Sequence, residues 1–169
     1  MICKTCVLDS SIESLKFTNE QCNYCLKYIP LLKKKHIENS SNNQIVKIFN
    51  KISKIKNKYN CLIGVSGGVD SSYIVYLAKK YNLRPLLLHF DNGWNSELAV
   101  SNIKKITNSC GFDLQTYVVN WSEFRNIQRS FIKSGVIDIE LASDHAIFAN
   151  LINTAKKNNI KYILSGTNI

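Results

Sequence analysis

A short apolar run that ends in a glycine-rich loop limits the possible folds of this chain more than any other feature. The run Cys61-Leu62-Ile63-Gly64-Val65 leads directly into Ser66-Gly67-Gly68-Val69-Asp70-Ser71-Ser72. This pattern predicts a buried strand, a tight turn at the adjacent glycines and a helix beginning near Asp70. Backbone N–H groups in such a loop, together with the positive end of the helix dipole, favour the binding of an anion.

The polar side chains of the loop indicate which anion is bound. Ser66, Ser71 and Ser72 add hydroxyl donors, whereas the Asp70 carboxylate would repel a phosphate and is better suited to a Mg²⁺ ion that bridges phosphates. No lysine lies between Ile63 and Ala78, so the loop is not of the GxxxxGK[ST] type and γ-phosphoryl transfer is disfavoured. The SGGxDS pattern resembles the PP-loop of the N-type ATP pyrophosphatases, which transfer AMP and release pyrophosphate. The alternative is an ordinary Ser/Gly turn.

Strands and helices alternate from the loop onward. Strands are predicted at 61–65, 85–90, 114–119 and 162–164, and helices at 70–81, from about Ser96, at 121–133, and from Ser143 as an N-cap. The alternation predicts an α/β fold, with a parallel sheet that has helices on both faces, as in the adenine nucleotide α-hydrolase-like (PP-loop) class. The loops at 66–72, 91–95 and 165–168 should then meet at the carboxyl edge of the sheet. Because the chain ends soon after the last loop, we expect it to be the N-terminal part of a longer enzyme.

Apolar stripes predict the buried faces of two helices. A helix that starts at Ser40 or Ser41 carries a stripe of Ile45, Ile48, Ile52 and Ile55, which Val46 and Phe49 widen. In the last helix the residues predicted to face the core are Ile147, Phe148, Leu151, Ile152 and Ala155.

Four of the six cysteines form the spacing Cys3-x2-Cys6-x15-Cys22-x2-Cys25. Two Cys-x-x-Cys turns that converge supply the four thiolates of a tetrahedral Zn²⁺ site, and a site with four protein ligands is structural rather than catalytic. An iron–sulfur cluster, a redox pair and disulfides are the alternatives.

Composition suggests three segments and a cellular compartment. We predict a zinc-binding knuckle region at 1–32, closed by Pro30, a basic linker helix at 33–58 and an ATP-binding domain at 59–169. Of the formal net charge of +10, much lies between Lys27 and Lys58, where Glu38 is the one acidic residue. That charge would attract a nucleic acid or an anionic sugar, or it is a solvated helix face. Without an apolar run of membrane-spanning length or a secretory signal, the protein is expected to be cytoplasmic, with no membrane partner.

Further motifs, taken together with the loop and the cysteines, resemble one family. They are His89-Phe90-Asp91-Asn92-Gly93-Trp94-Asn95-Ser96-Glu97-Leu98, Asp144-His145-Ala146-Ile147-Phe148-Ala149 and Ile163-Leu164-Ser165-Gly166-Thr167-Asn168. With them the whole chain resembles the N-acetyl sugar amidotransferases of lipopolysaccharide O-antigen and flagellin-sugar biosynthesis.

The resemblance implies that an acetamido group on an anionic bacterial sugar is converted to an acetamidino group. ATP would adenylate the amide oxygen, and ammonia from a separate glutaminase partner would expel AMP. The implied cofactors are ATP, Mg²⁺ and a structural Zn²⁺, and nucleic acid is not expected as a partner.

Site residues follow from the loop and the resemblance together. Pyrophosphate is assigned to Ser66, Gly67, Gly68, Ser71 and Ser72, Mg²⁺ to Asp70, adenosine to Phe90 and Asp91, and the α-phosphate or ribose to Gly166 and Thr167. Asp70, Ser66 and His145 are the predicted catalytic residues. His145 would act as a general base or a phosphate contact, whereas Asp144 is equally explained as compensation of a helix dipole.

Two rival functions remain open from the sequence. A tRNA-thiolating enzyme also joins a PP-loop to zinc knuckles, but such enzymes usually need later cysteines, and none follows Cys110. The other rival is a non-catalytic module that binds a nucleotide or a partner protein.

Overall fold

The structure is a computed structural model that describes residues 1–39 and 42–166, with the side chains of 34–43 left aside. The chain divides into two compact units, Met1–Lys47 and Ile48–Ile169. Of the helices in the described residues, none is both long and apolar enough to cross a membrane.

The first unit is built around a small hairpin and a long helix. Strands β1 (Phe17–Thr18) and β2 (Gln21–Cys22) are antiparallel and are joined by a turn in which Asn19 and Glu20 both have positive φ. Two positive φ values match the right-handed twist of a hairpin. Helix α1 (Asn23–Asn39) follows directly and continues through Pro30. Pro30 therefore does not end the local structure as the sequence had suggested, and the 32/33 boundary stays a prediction.

Helix α2 (Asn42–Ser53) confirms that a helix lies in this region, and its predicted stripe is buried in part. Phe49 and Ile52 are buried, whereas Ile45 and Ile48 are about half exposed. The aromatic ring at 49 packs with Ile52 in the core of the second unit. The buried face is thus the part of the predicted stripe that carries Phe49 and Ile52, and Ile45 and Ile48 lie at its exposed side.

In the described part of the second unit, four parallel strands form a sheet in the order β5-β4-β3-β6. They are β3 (Cys61–Gly64), β4 (Pro85–Asp91), β5 (Asp113–Val118) and β6 (Ile163–Leu164), each within two residues of its predicted bounds. The helices between them are α3 (Val69–Lys80), α4 (Glu97–Cys110), α5 (Trp121–Lys133) and α6 (Leu141–Lys157). The predicted α/β class is confirmed.

Alternation along the central strands separates two hydrophobic clusters. Ile63 and Leu87 pack with residues of α2, α3 and α4 on one face of the sheet. Leu62, Leu86 and Leu88 pack with Ala155 of α6 on the other face. Successive strand residues point to opposite faces, so the near-continuous apolar runs reflect burial on both sides.

Helix α6 corrects two predictions. It begins at Leu141 after Glu140, so Ser143 is not its N-cap but a buried residue within its first turn, whose hydroxyl accepts a hydrogen bond from Asn92. Phe148 and Ile152 are more than half exposed and line a cavity instead of the core. Ala155 is buried as predicted.

Candidate active site

The glycine-rich loop takes the strand–turn–helix form predicted for it. Gly68 is the N-cap of α3, so the positive end of that helix dipole lies at the loop. Gly67 has φ of +79°, and a Cβ built there would lie 2.3 Å from the backbone oxygen of Ala99 in α4. Glycine is therefore required at 67 both for its backbone conformation and for the close approach of the neighbouring helix.

Two serine side chains of the loop donate hydrogen bonds to the Gly68 carbonyl oxygen. The Ser72 hydroxyl donates to the Gly68 carbonyl at 2.8 Å, and the Ser71 hydroxyl donates to the same oxygen at 3.2 Å. The Ser66 N–H donates to the Ser71 Oγ at 3.3 Å. With Gly68 O engaged on the helix side, the first N–H groups of α3 lie at the open end of the helix, where an anion is favoured.

A small cavity of about 240 Å³ lies beside the loop. Asp70 and Ser71 line it from the first turn of α3, and Gly166 lines it from the segment after β6. A Cβ at Gly166 would come within 2.7 Å of the Asp70 carbonyl oxygen, so only glycine fits there. The structure therefore brings Ser66, Asp70, Ser71 and Gly166 together, as the sequence predicted for the ends of neighbouring strands.

A larger cavity of about 640 Å³ shares Gly64, Ser66 and Ser165 with the small one. Phe90 lines it, and the Phe90 ring stacks on Tyr117 at a centroid distance of 5.7 Å. One part of its wall is apolar and the other polar. The apolar part comprises Ile147, Phe148, Leu151, Ile152 and Ile163, and the polar part comprises Asn92, Asn95 and Asp144.

Asp91 shapes the loop after β4 instead of lining either cavity. Its Oδ1 accepts hydrogen bonds from the Gly93 N–H and the Asn95 side-chain amide, each at 3.0 Å. The Gly93 backbone has φ of +81° and packs against the Trp121 ring. Asp91 thus orients Asn95, which does line the larger cavity.

The remaining predicted residues lie in different places. Asp144 lines the larger cavity, whereas His145, which follows the first turn of α6, is exposed and lines neither cavity. Thr167 lies outside the described residues. The roles assigned to His145 and Thr167 stay predictions.

Several residues at the site could not be selected from the sequence. His89 is buried and lines the larger cavity, where its Nδ1 lies 3.0 Å from the Val65 carbonyl oxygen. A carbonyl can only accept, so Nδ1 carries the proton. Asn102 of α4 donates from Nδ2 to the Gly67 carbonyl oxygen at 3.1 Å. For His89 the available signal was a polar residue after an apolar run, whereas Asn102 lies between Ser101 and Ile103 with nothing in the sequence to distinguish it.

Comparison with known proteins assigns this α/β unit to a family. The asparagine synthase family matches residues 57–167, which is more than half of the chain. The chain belongs to the asparagine synthase family. The strand–loop–helix and both cavities of this asparagine synthase family member lie within the matched residues.

Individual relatives are more distant. An uncharacterised protein of Methanocaldococcus jannaschii is 26% identical over 167 residues, which are 98% of this chain and 58% of that protein. The NH3-dependent NAD synthetase of Campylobacter jejuni has a TM-score of 0.54 at 13% identity, covering 71% of this chain and 52% of its own. The NMN synthetase of Francisella tularensis has a TM-score of 0.51 at 18% identity, covering 69% and 50%. These structures share the fold, and the chain spans less than two thirds of each of the three relatives.

The four N-terminal cysteines lie outside the asparagine synthase match, which begins at residue 57. Their Sγ atoms all lie within 4.8 Å of one another, with Cys3 and Cys25 separated by 3.8 Å and Cys6 and Cys22 by 3.5 Å. Tetrahedral Zn–S bonds of about 2.3 Å place sulfur atoms about 3.8 Å apart. The cluster therefore fits a single metal ion with four thiolate ligands.

Local hydrogen bonds and burial shift the pKa values of the cysteine thiols in this cluster in different directions. Burial opposes ionisation of the Cys3 thiol, but hydrogen bonds from the backbone at Cys22, Thr5 and Cys6 outweigh it and lower the pKa of Cys3 to about 6. Hydrogen bonding with Cys6, followed by burial, raises the pKa of Cys25. Binding of a cation must offset the free-energy cost of ionising Cys25, because thiolates and not thiols are the ligands.

Proposed function

We propose that this chain carries the ATP-binding site of a ligase-type enzyme, an N-acetyl sugar amidotransferase that forms AMP and pyrophosphate. One observation carries the ATP part of the proposal. The anion-binding loop at the end of α3 opens into a small cavity with one carboxylate, Asp70, and that cavity adjoins a larger one with an apolar wall. The loop suits phosphates, the Asp70 carboxylate suits a metal ion, and the apolar wall of the larger cavity suits a purine nucleoside. Membership of the asparagine synthase family supports ATP-using ligase chemistry.

The proposed reaction has two balanced steps. The oxygen of the acetamido group attacks the α-phosphorus of ATP, the bond to the β-phosphate oxygen breaks, and pyrophosphate leaves. Ammonia then adds to the activated carbon, the bond from that carbon to the adenylyl oxygen breaks, and AMP leaves with the original amide oxygen. The proton lost from nitrogen goes to solvent or a base, and the product is an acetamidino group. Adenylation is needed because an amide oxygen is a poor leaving group.

The residues of the loop have separate tasks in this proposal. Backbone N–H groups at Gly67 and Gly68 and the Ser66 hydroxyl bind the departing pyrophosphate. The hydroxyls of Ser71 and Ser72, which donate to the Gly68 carbonyl oxygen, turn from it to the pyrophosphate in this proposal. Asp70 would hold Mg²⁺, which neutralises charge on the phosphates when bound.

The nucleoside and the α-phosphate occupy the neighbouring surfaces. Phe90 contacts the adenosine, and Gly166 permits close approach of the α-phosphate or ribose because it has no side chain. Thr167, which follows Gly166 in the sequence, is also proposed to contact the α-phosphate or ribose. His145 is proposed as a general base or a phosphate contact.

The sugar acceptor and the glutaminase partner rest on the sequence motifs. The segment His89–Leu98 forms the end of β4 and the loop that places Asn92 and Asn95 on the larger cavity. These amides and the nearby Asp144 carboxylate can hydrogen-bond sugar hydroxyl or acetamido groups. An anionic acetamido sugar is therefore the proposed acceptor, and lipopolysaccharide or flagellin glycan synthesis the proposed setting.

The test incubates the full-length protein with ATP, Mg²⁺, ammonia and candidate acetamido sugars. We expect AMP and pyrophosphate in equal amounts, together with a sugar product in which NH has replaced oxygen, detected by mass spectrometry. The Asp70→Asn variant should lose on the order of 10²-fold in kcat, because a charged group that acts on the reacting phosphates is removed.

A matched control is Glu123→Gln, which also removes an acidic charge from the first turn of a helix, α5, but lines neither cavity. It should retain wild-type turnover. Release of ADP in place of AMP would contradict adenylation, and sulfur transfer to tRNA without sugar turnover would contradict the proposed acceptor.

A further inference from the structure

An anion-binding loop must keep its carbonyl oxygens away from the anion. Each peptide unit is planar and trans, so its N–H and C=O point in opposite directions. A group that fixes the carbonyl of one unit on one side therefore fixes the N–H of the same unit on the other. For a phosphate cradle, the orientation of each peptide unit decides whether it attracts or repels the ligand.

The Gly67–Gly68 unit is the part of the loop that can most easily turn over. Glycines flank this peptide on both sides, and Gly67 already has φ of +79°. Without Cβ atoms, the steric barrier that normally selects one orientation of a peptide plane is small. Rotation of this unit would present the Gly67 carbonyl oxygen to the phosphates and withdraw the Gly68 N–H.

One side chain outside the loop contacts this peptide unit. Asn102 lies within α4, is partly buried, and donates from Nδ2 to the Gly67 carbonyl oxygen at 3.1 Å. The α4 backbone at Ala99 lies against Gly67 on the same side. The carbonyl is thus held toward α4, and the Gly68 N–H of the same planar unit points away from α4 and donates to the Ser66 Oγ at 3.5 Å. Asn102 itself lines neither cavity.

We propose that Asn102 is a positioning residue that keeps the Gly67–Gly68 peptide oriented for phosphate binding. This inference rests on the proposed function, because it assumes that the loop binds the phosphates of ATP. Asn102 would not touch the nucleotide. Its side-chain amide would contribute to the binding of phosphates and leave the binding of the nucleoside unchanged.

The test measures the dissociation constants of ATP–Mg²⁺, inorganic pyrophosphate and adenosine by calorimetry on the full-length protein and two variants. In Asn102→Ala the donor is lost, and we expect binding of ATP and pyrophosphate to weaken about tenfold, as for one lost hydrogen bond at a ligand site. In Asn102→Asp a carboxylate faces the carbonyl oxygen, and the loss should be larger. Adenosine should bind as it does to the wild type in both variants.

Asn158→Ala is the matched control, because Asn158 also donates from its side-chain amide to a backbone carbonyl, that of Thr154, and lines neither cavity. It should not change any of the three constants. Equal weakening of adenosine and ATP in Asn102→Ala would mean a general structural role and overturn the inference, as would unchanged pyrophosphate binding. If Asn102→Asp is insoluble, Asn102→Ala decides alone. A wild-type protein that binds neither ATP nor pyrophosphate overturns the proposed function together with this inference.

Discussion

Two glycines at the site tolerate no side chain, for different reasons. Gly67 combines a left-handed backbone conformation with contact to α4, whereas Gly166 is limited by its contact with the Asp70 backbone. At neither position can the neighbouring atoms move cheaply, because they belong to the backbone of a helix. At the scale of single residues, the site is therefore defined as much by missing side chains as by polar ones.

Replacement of Gly67 should weaken ATP binding and also lower the stability of the fold. In Gly67→Ala the new methyl group meets the Ala99 backbone, so the loop must shift. We expect the affinity for ATP to fall on the order of 100-fold and the free energy of unfolding to fall by roughly 1–3 kcal/mol. Titration with ATP–Mg²⁺ and urea denaturation measure the two effects.

Gly135→Ala controls for the backbone strain alone. Gly135 also has positive φ, of +65°, but a Cβ there would meet nothing within 4 Å. This variant should be destabilised by about 1 kcal/mol and should bind ATP normally. Comparable loss of affinity in both variants would show that the contact with α4 is not the cause.

At the scale of elements, α2 shows how one helix can expose one isoleucine and bury another. Ile52 is fully buried in the core, whereas Ile48, one turn earlier, is 50% exposed. We expect Ile52→Ala to lower the free energy of unfolding by about 2–4 kcal/mol, because it leaves a cavity in the core. Urea denaturation of the full chain measures this.

Ile48→Ala on the same helix is the comparison for this prediction. A half-exposed side chain loses little burial on truncation, so the change should stay below about 1 kcal/mol. Similar losses in both variants would contradict the difference in burial between Ile48 and Ile52.

The sequence predicts a helix or strand correctly where its local sequence pattern matches its environment in the folded protein. Strand β3 and residues 85–88 of β4 are apolar because both faces of the sheet are covered there. Ser96 caps α4 through its own hydroxyl, as a local pattern allows. Helix α6 was misjudged because Ser143 resembles an N-cap, yet its hydroxyl bonds to Asn92, far away in sequence.

The same distinction applies to the site. Ser66, Asp70 and Ser71 lie in one continuous motif, so local sequence was enough to bring them together as a prediction. Asn102 and His89 act through contacts with Gly67 and Val65 on other elements, and those contacts exist only after the sheet and α4 have packed. Phe148 and Ile152 have the spacing of core residues, and only the packed structure shows that a cavity lies beside them.

At the scale of the whole molecule, the four-cysteine cluster distinguishes Met1–Lys47 from the α/β unit. Among the side chains that the structure describes there, the buried Cys3, Cys22 and Cys25 form a hydrophobic cluster that Leu15, Phe17, Ile29 and Cys6 surround. A core of this size does not fold stably without help, so a bound metal is expected to stabilise it.

We predict about one zinc ion per chain in natively purified protein, measured by elemental analysis. Removal of the metal with a strong chelator should unfold the N-terminal segment and make its thiols reactive toward a colorimetric thiol reagent. Cys22→Ser should abolish zinc retention, whereas Cys110→Ser, which changes a buried cysteine outside the cluster, should not. Iron with visible absorbance would show that a cluster occupies the site instead.

The contact between Gly166 and the first turn of α3 has a consequence for biosynthesis. The loop at 66–72 is translated long before Gly166, yet the cavity beside Asp70 lacks one wall until β6 has paired with β3. Such distant pairing is slow compared with the formation of a local helix. A nascent chain on the ribosome should therefore acquire nucleotide affinity late, after its loop residues have left the exit tunnel and β6 has paired with β3.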